Sequence, residues 1–286
     1  MIELLQKFGL PLNASAHGAE IDSTLGWLHL IVLLLFVGWS AFFLFVLWRF
    51  RSGKNPKADH AGVKNHSVSL SVEVGVAVAE AAILILLSIP LWAERVGEMP
   101  TDEDRVEVRV VAQQFAWNMH YPGPDGIFGQ ASPEMISQTN PIGLDRNSPN
   151  AADDIISINW LYLPKGRPAI VHLSSMDVIH SFALPEMRVK QDCIPGMSIP
   201  IWFEPTLTTE EMREKKVAMG AWDEDRKAFL NYEIACAQLC GLGHYQMRGF
   251  MEVMEPEAFD EWVEAESTKA QEGGDEFGED EFGEFE

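Results

Sequence analysis

The chain is short of positive charge. Twenty-one Lys and Arg stand against 43 Asp and Glu in 286 residues, a formal net charge of −22. That balance excludes a nucleic-acid partner, whose phosphates need a basic surface. The deficit is uneven: residues 1–92 carry six basic and six acidic side chains, whereas residues 93–286 carry 15 and 37. Asp, Glu, Lys and Arg are all missing from Leu25 to Trp48, an apolar run of 24 residues. A helix needs roughly 20 such residues to cross a bilayer. Trp27 and Trp48 mark its ends, where amphipathic rings prefer to lie. A continuous apolar core is absent from residues 1–24, so no cleaved signal peptide is expected and the first membrane helix serves as the signal. Cysteine is scarce too, with three in the chain, and two of them fall four residues apart.

A second apolar run, Val68 to Trp92, is interrupted by Glu73 and Glu80. Nothing else in the chain is apolar enough to cover two such helices, so the pair reads as a transmembrane hairpin over 25–92, with helices at about 25–48 and 68–92. Between them lie Arg49, Arg51, Lys54, Lys57 and Lys64 against the single Asp59. The positive-inside rule places this loop in the cytoplasm and both chain ends outside. Residues 1–24 then form an N-terminal segment, and the composition break near 92–99 opens a second domain. Glu73 and Glu80 are seven apart, two helical turns, and share a face roughly 10 Å apart. Ionised carboxylates do not face lipid, so both call for a buried partner.

The remainder reads as β, from 100 to 256. Val106 to Val110 alternates with period two, and Ile155–Leu163, Ala169–Leu173, Ser198–Phe203, Phe229–Ala235 and Gly249–Met254 are short, rich in β-branched and aromatic residues, and bounded by Pro, Gly or Asp. Short strands without intervening helices predict a sandwich or barrel. One helix is predicted from Thr208 to Lys216. Residues 123–154 are polar and rich in Pro, Asn and Gly, a loop insertion long enough to imply docking or packing. An acidic helix and tail occupy 257–286, and the last fifteen residues hold eight carboxylates, four glycines and three phenylalanines, a composition that stays disordered alone.

The segment Cys236-Ala-Gln-Leu-Cys240-Gly-Leu-Gly-His244-Tyr-Gln-Met247 concentrates the chemistry. By spacing alone the two cysteines are a disulfide, a thiol redox pair or two metal ligands. His244 and Met247 shift the reading to metal, because a zinc site has no use for a thioether whereas soft sulfur with imidazole suits copper. A mononuclear blue-copper site takes one Cys, two His and a Met. Here one Cys is left over, and two bridging thiolates suit two metals. A second histidine is then required, and His180, in a loop between the strand 169–173 and Pro185, is the candidate.

With these residues in view, the chain resembles subunit II of cytochrome c oxidase, the heme–copper oxidase subunit that carries the dinuclear copper A centre. The motifs are His180-Ser-Phe, Asp192-Cys-Ile-Pro-Gly196 and Cys236-x3-Cys240-x3-His244-x2-Met247, and the likeness extends over the hairpin and a cupredoxin-like, Greek-key β domain. The resemblance implies that Cys236 and Cys240 bridge two coppers, that His180 and His244 each bind one, and that Met247 and the Gln238 carbonyl are weak axial ligands. It implies electrons taken from cytochrome c outside the membrane and passed to heme in subunit I, the copper B-bearing subunit that reduces dioxygen with proton translocation, with subunit III as a further partner. The setting it implies is a bacterial inner membrane, or the mitochondrial equivalent.

Three departures stand out. The family commonly has Glu where this chain has Gln238, and that carboxylate helps bind magnesium, so magnesium loses a ligand here while the carbonyl role survives. Gln114-Phe115-Ala-Trp117 resembles the family's aromatic segment, whose first ring receives electrons, so Phe115, with Trp117 behind it, is the expected electron-input residue. Cys193 falls where the family often has Ala, and a small buried residue is expected. In the second membrane helix, Glu73 matches the glutamate at the mouth of the family's proton path, and Glu80 stands where the family often has Pro and has no role assigned. Two other readings compete: a copper A subunit of a nitric oxide reductase, and a membrane-anchored copper chaperone or thiol-redox protein of thioredoxin type, which would alternate β with α.

Overall fold

The computed structural model describes residues 2–54, 57, 66–101, 103–137, 140–220 and 230–272. The expectations for Asp59, Lys64, Phe229 and the tail from residue 273 lie outside these. The chain divides into two compact units, one of Met1–Leu10 with Ala19–Glu98 and one of Pro11–Gly18 with Met99–Glu286.

The first unit is helical: α1 (Ile2–Lys7), α2 (Gly18–Arg49), α3 (His66–Ile83) and α4 (Ile89–Gly97). α2 is a single helix of 32 residues, about 48 Å at 1.5 Å per residue, and it starts well before Leu25. The predicted second helix also runs longer at both ends, from 66 to 97, and is broken by a π-helical stretch at Leu84–Ser88. Pro90 accounts for that widening, because it lacks an N–H and its ring presses on the carbonyl four residues back. Both helices expose apolar side chains along their length, including Phe36, Phe42, Leu44, Val72 and Leu86. Lipid, not water, is the solvent that suits such surfaces.

The second unit is a sandwich of two five-stranded sheets. Its strands are β1 (Val106–Gln113), β2 (Ala116–Tyr121), β3 (Ile155–Ile158), β4 (Trp160–Pro164), β5 (Ala169–Ser175), β6 (His180–Leu184), β7 (Val189–Cys193), β8 (Ile199–Phe203), β9 (Tyr232–Cys236) and β10 (Arg248–Met254). One sheet runs β3-β2-β1-β5-β8, the other β4-β10-β9-β6-β7. The β1–β5 and β4–β10 pairs are parallel and the rest antiparallel. Alternation buries Val108, Val110 and Ala112 of β1 in the core with Trp117, Leu161, Leu163, Phe182, Phe203 and Tyr232. This is a cupredoxin-like β domain following two apolar helices.

Two expectations need correction. The run Ile155–Leu163 is not one strand. Asn159 sits at φ 61 in the left-handed region, which a short polar side chain tolerates, and the chain there changes sheets. Its Oδ1 accepts the Trp117 N–H at 2.9 Å, fixing the switch. His180 is not in a loop but is the first residue of β6. That strand lies between β9 and β7, so all five of its residues are buried and no alternation betrays it.

Two helices complete the unit, α5 (Thr209–Ala218) and α6 (Pro256–Gln271). A reciprocal capping box between Thr208 and Glu211 starts α5. α6 lays Trp262 against Tyr121 and Tyr162, with ring centroids 5.2 and 4.5 Å apart, and Arg167 clamps Asp260 through two bonds of 2.7 and 2.6 Å.

The insertion 123–154 has a small apolar centre, Ile142, Leu144 and Ala151, packed on Val111 and Ile156. A buried polar knot ties it down. His120 Nε2 donates to Asp154 Oδ2 at 2.6 Å, Gly129 N donates to the same oxygen, and Arg146 donates to the carbonyls of Ala151 and Asp154. Burial holds the His120 imidazole below its ordinary range, against the opposing pull of Asp154. The neutral ring is therefore the folded form, and below about pH 6.5 the unfolded chain binds the extra proton more readily. Stability of the domain should fall as pH drops from 7 to 5. His120→Gln should flatten that slope in thermal unfolding followed at both pH values, and an unchanged slope would count against this knot as the cause.

Candidate metal centre

Three loops at one end of the sandwich build the site. The β9–β10 connection carries Cys236 at the end of its strand, then Gln238, Cys240, His244 in a short 3-10 turn, and Met247 just before β10. Pinning both ends on neighbouring antiparallel strands folds the twelve residues back on themselves. His180 opens β6 directly after the β5–β6 turn, and the β1–β2 turn delivers Gln114 and Phe115.

The donor atoms converge. Cys236 Sγ and Cys240 Sγ lie 3.8 Å apart, and both cysteines are free thiols. His180 Nδ1 lies 3.8 Å from Cys236 Sγ, while His244 Nδ1 lies 3.6 Å from Cys240 Sγ, so one imidazole stands at each sulfur. Met247 Sδ is 3.1 Å from His180 Nδ1 and 3.7 Å from Cys240 Sγ, and the Gln238 carbonyl is 3.2 Å from Cys236 Sγ. Among the described residues, His180, Cys236 and Cys240 form a group whose ligand atoms all lie within 4.8 Å of one another. His244 joins it through Cys240.

The electrostatics suit a cation once the thiols give up their protons. Burial, and then the neighbouring Cys236 sulfur, push the Cys240 thiol up to about 11. Two adjacent thiolates repel, and a soft metal relieves that repulsion. His180 is fully buried and its Nε2 lies 2.8 Å from Asp177 Oδ1. Partial burial works to raise the Asp177 carboxyl, but His180 and the N–H groups of Gln114 and Val178 together hold it below the usual range.

Sequence reasoning did not assign Asp177 or Gln114. The Asp three residues before a candidate ligand histidine was the available signal, since a ligating imidazole normally gives its other nitrogen to a carboxylate or carbonyl. Phe115 is 38% exposed, and its ring lies over Gly241 and Gly243 of the metal loop. Trp117 is fully buried, edge-on to Phe182 at 5.5 Å and to His180 at 6.3 Å, and its Nε1 has no hydrogen-bond partner. Cys193 sits opposite His180 in the β6–β7 register, and burial pushes its thiol up to about 12, which marks an inert packing residue. Glu73 and Glu80 lie on α3 in the helical unit, where the Ser69 hydroxyl donates to Glu73 at 2.7 Å.

Comparison with known proteins gives the lineage. The family described as cytochrome c oxidase subunit II, periplasmic domain, matches residues 106–208. An alternative cytochrome c oxidase subunit 2 from Bradyrhizobium diazoefficiens is 32% identical over 251 residues, covering 87% of this chain and 81% of the relative. The chain belongs to the cytochrome c oxidase subunit 2 family. A cytochrome c oxidase subunit 2 from Cereibacter sphaeroides is 24% identical over 271 residues, covering 90% of this chain and 79% of the relative. Among solved structures, the periplasmic domain of subunit II of cytochrome oxidase from Bradyrhizobium japonicum is 24% identical with a TM-score of 0.39, covering 60% of this chain and 99% of that one. As a subunit II of a heme–copper oxidase, this chain is a membrane-anchored part of an oxidoreductase complex. The family implies copper, and the donor set fits it: two thiols, two imidazoles, a thioether and a carbonyl.

Proposed function

We propose that this chain takes single electrons from a cytochrome c outside the membrane at a dinuclear copper A centre and passes them to heme in subunit I. The oxidase as a whole then reduces dioxygen and translocates protons. One observation carries the reading: two sulfurs 3.8 Å apart with a separate imidazole against each. Two coppers bound there would supply reversible one-electron chemistry. Cys236, Cys240, His180 and His244 through Nδ1, Met247 Sδ and the Gln238 carbonyl are the residues that would hold them. The sandwich holds Cys236, His180 and Met247 on or beside strands and pins both ends of the loop that carries the other ligands, which restricts movement between redox states. Gln238 offers an amide and not a carboxylate, so no magnesium ligand is assigned to it. The two-sheet sandwich disfavours a thioredoxin-type chaperone, which would alternate β with α. Copper titration of the detergent-solubilised full chain tests the centre. Two coppers per chain with a mixed-valence thiolate spectrum are expected, and a single copper would overturn it.

Phe115, partly exposed above the metal loop, is the proposed electron-input residue, with Trp117 packed behind it on His180. The donor we propose is a basic cytochrome c, drawn by the excess of carboxylates after residue 92. Its oxidation rate should fall several-fold between about 20 and 200 mM salt as the Debye length shrinks. A flat profile would remove the charge from docking.

The proposed topology has the Arg49–Lys54 loop in the cytoplasm, both termini outside, and the copper domain in the periplasm of a bacterial inner membrane. Subunit I and subunit III are the proposed membrane partners. Glu73 then lies toward the cytoplasmic end of α3, where we assign it proton uptake toward subunit I. Glu73→Gln should slow turnover about tenfold or more, on the scale of positioned proton transfer, while leaving copper content unchanged. Unaltered proton uptake would refute this role.

A further inference from the structure

We propose that Asp177 and Gln114 are positioning residues: they hold His180 in the tautomer that presents Nδ1 to the sulfur cluster, and they tie Phe115 to the same cluster. The inference rests on the copper reading above for its consequence but not for its geometry. Asp177 lies in the β5–β6 turn, and its two carboxylate oxygens serve different loops. Oδ1 accepts from His180 Nε2 at 2.8 Å and from the Val178 N–H at 2.6 Å. Oδ2 accepts from the Gln114 N–H at 2.7 Å, in the β1–β2 turn. The Gln114 side chain then donates through Nε2 to the Cys240 carbonyl at 2.6 Å, in the β9–β10 loop. One carboxylate and one glutamine thus join the three loops that make the site.

The consequences are chemical. A neutral imidazole has one N–H, and Asp177 commits it to Nε2. The lone pair is then at Nδ1, the atom that lies 3.1 Å from Met247 Sδ and 3.8 Å from Cys236 Sγ. The ring is thereby arranged to ligate before any metal arrives, so metal binding need not reorient it. The same carboxylate fixes the peptide N–H of Gln114, the residue before Phe115. The Phe115 ring lies so close over the metal loop that a Cβ on Gly243 would meet it at 2.5 Å. Phe115 and His180 are therefore braced through a single side chain, which sets their separation by short bonds.

Nitrogen-15 NMR of the copper-free full chain in detergent, with labelled histidine at pH 8, reads the tautomer directly. Wild type should show His180 protonated at Nε2. Asp177→Ala should show both tautomers and bind copper roughly 10–100-fold more weakly. Asp177→Asn keeps an acceptor oxygen and the turn, and should fall between the two. Gln114→Ala keeps the backbone bond, so its tautomer should match wild type while electron intake slows at full copper occupancy. An unchanged tautomer with copper affinity within about twofold in both Asp177 variants would overturn the proposal, as would unchanged intake in Gln114→Ala for that residue's part. If wild type binds no copper, the functional reading fails, and the tautomer measurement still decides the brace.

Discussion

Cys236→Ser should bind fewer than two coppers and lose the thiolate-to-copper absorption. Oxidation of cytochrome c should fall by more than the roughly 10–100-fold typical of losing a supporting residue beside a metal ligand. Cys236 Sγ is the atom on which the arrangement turns, 3.8 Å from His180 Nδ1, 3.8 Å from Cys240 Sγ and 3.2 Å from the Gln238 carbonyl. A hydroxyl in its place is a hard, protonated donor that copper does not prefer. The remaining set of Cys240, His180, His244 and Met247 is one thiolate, two imidazoles and a thioether, which suits a single copper. Partial loading with a mononuclear spectrum is thus the expected residue of the site. Cys193→Ala is the control. Its thiol is buried with no place in the ligand group among the described residues, so it should keep two coppers. A Cys236→Ser protein with full copper and an unaltered spectrum would dismantle the assignment.

The twelve-residue loop was legible because its donors are close in sequence, and a turn between two strands is enough to bring them together. His180 was harder. It is 56 residues from Cys236, and its strand is buried on both faces, so neither spacing nor alternation marks it. A count of ligands and a family likeness pointed to it. Asp177 left a trace in the chain, three residues before His180, but Gln114 did not, because its bond to Asp177 joins residues 63 apart. The sandwich followed from the short β-rich runs, yet Asn159 hid a change of sheet inside what reads as one strand. The membrane helices were legible from their missing charge. Their ends were not, since the polar residues from Gly18 to Thr24 continue the helix without an apolar signature.

Gly243→Ala should disturb the site without touching a ligand. The Gly243 backbone is at φ −90, ordinary for any residue, so the penalty is purely one of space. A new Cβ would meet Phe115 Cδ2 at 2.5 Å and Cγ at 2.8 Å. Contact that near the base of the ring cannot be relieved by a small turn of its far edge. The Phe115 backbone cannot retreat either, because Gln114 is held by Asp177 on one side and Ala116 begins β2 on the other. The ring must swing outward, where its partial exposure leaves room. Overpacking of this kind costs about 1–3 kcal/mol, read as a lower melting temperature of the β domain. Adding Phe115→Ala removes the obstacle, so the double variant should recover most of that loss, a coupling of roughly 0.5–3 kcal/mol. Electron intake separates packing from function. It should fall in Gly243→Ala and stay low in the double variant despite the regained stability, because the ring proposed to receive the electron is gone. If intake returned with stability, Phe115 would be a packing residue of the metal loop, and electrons would reach His180 by another route.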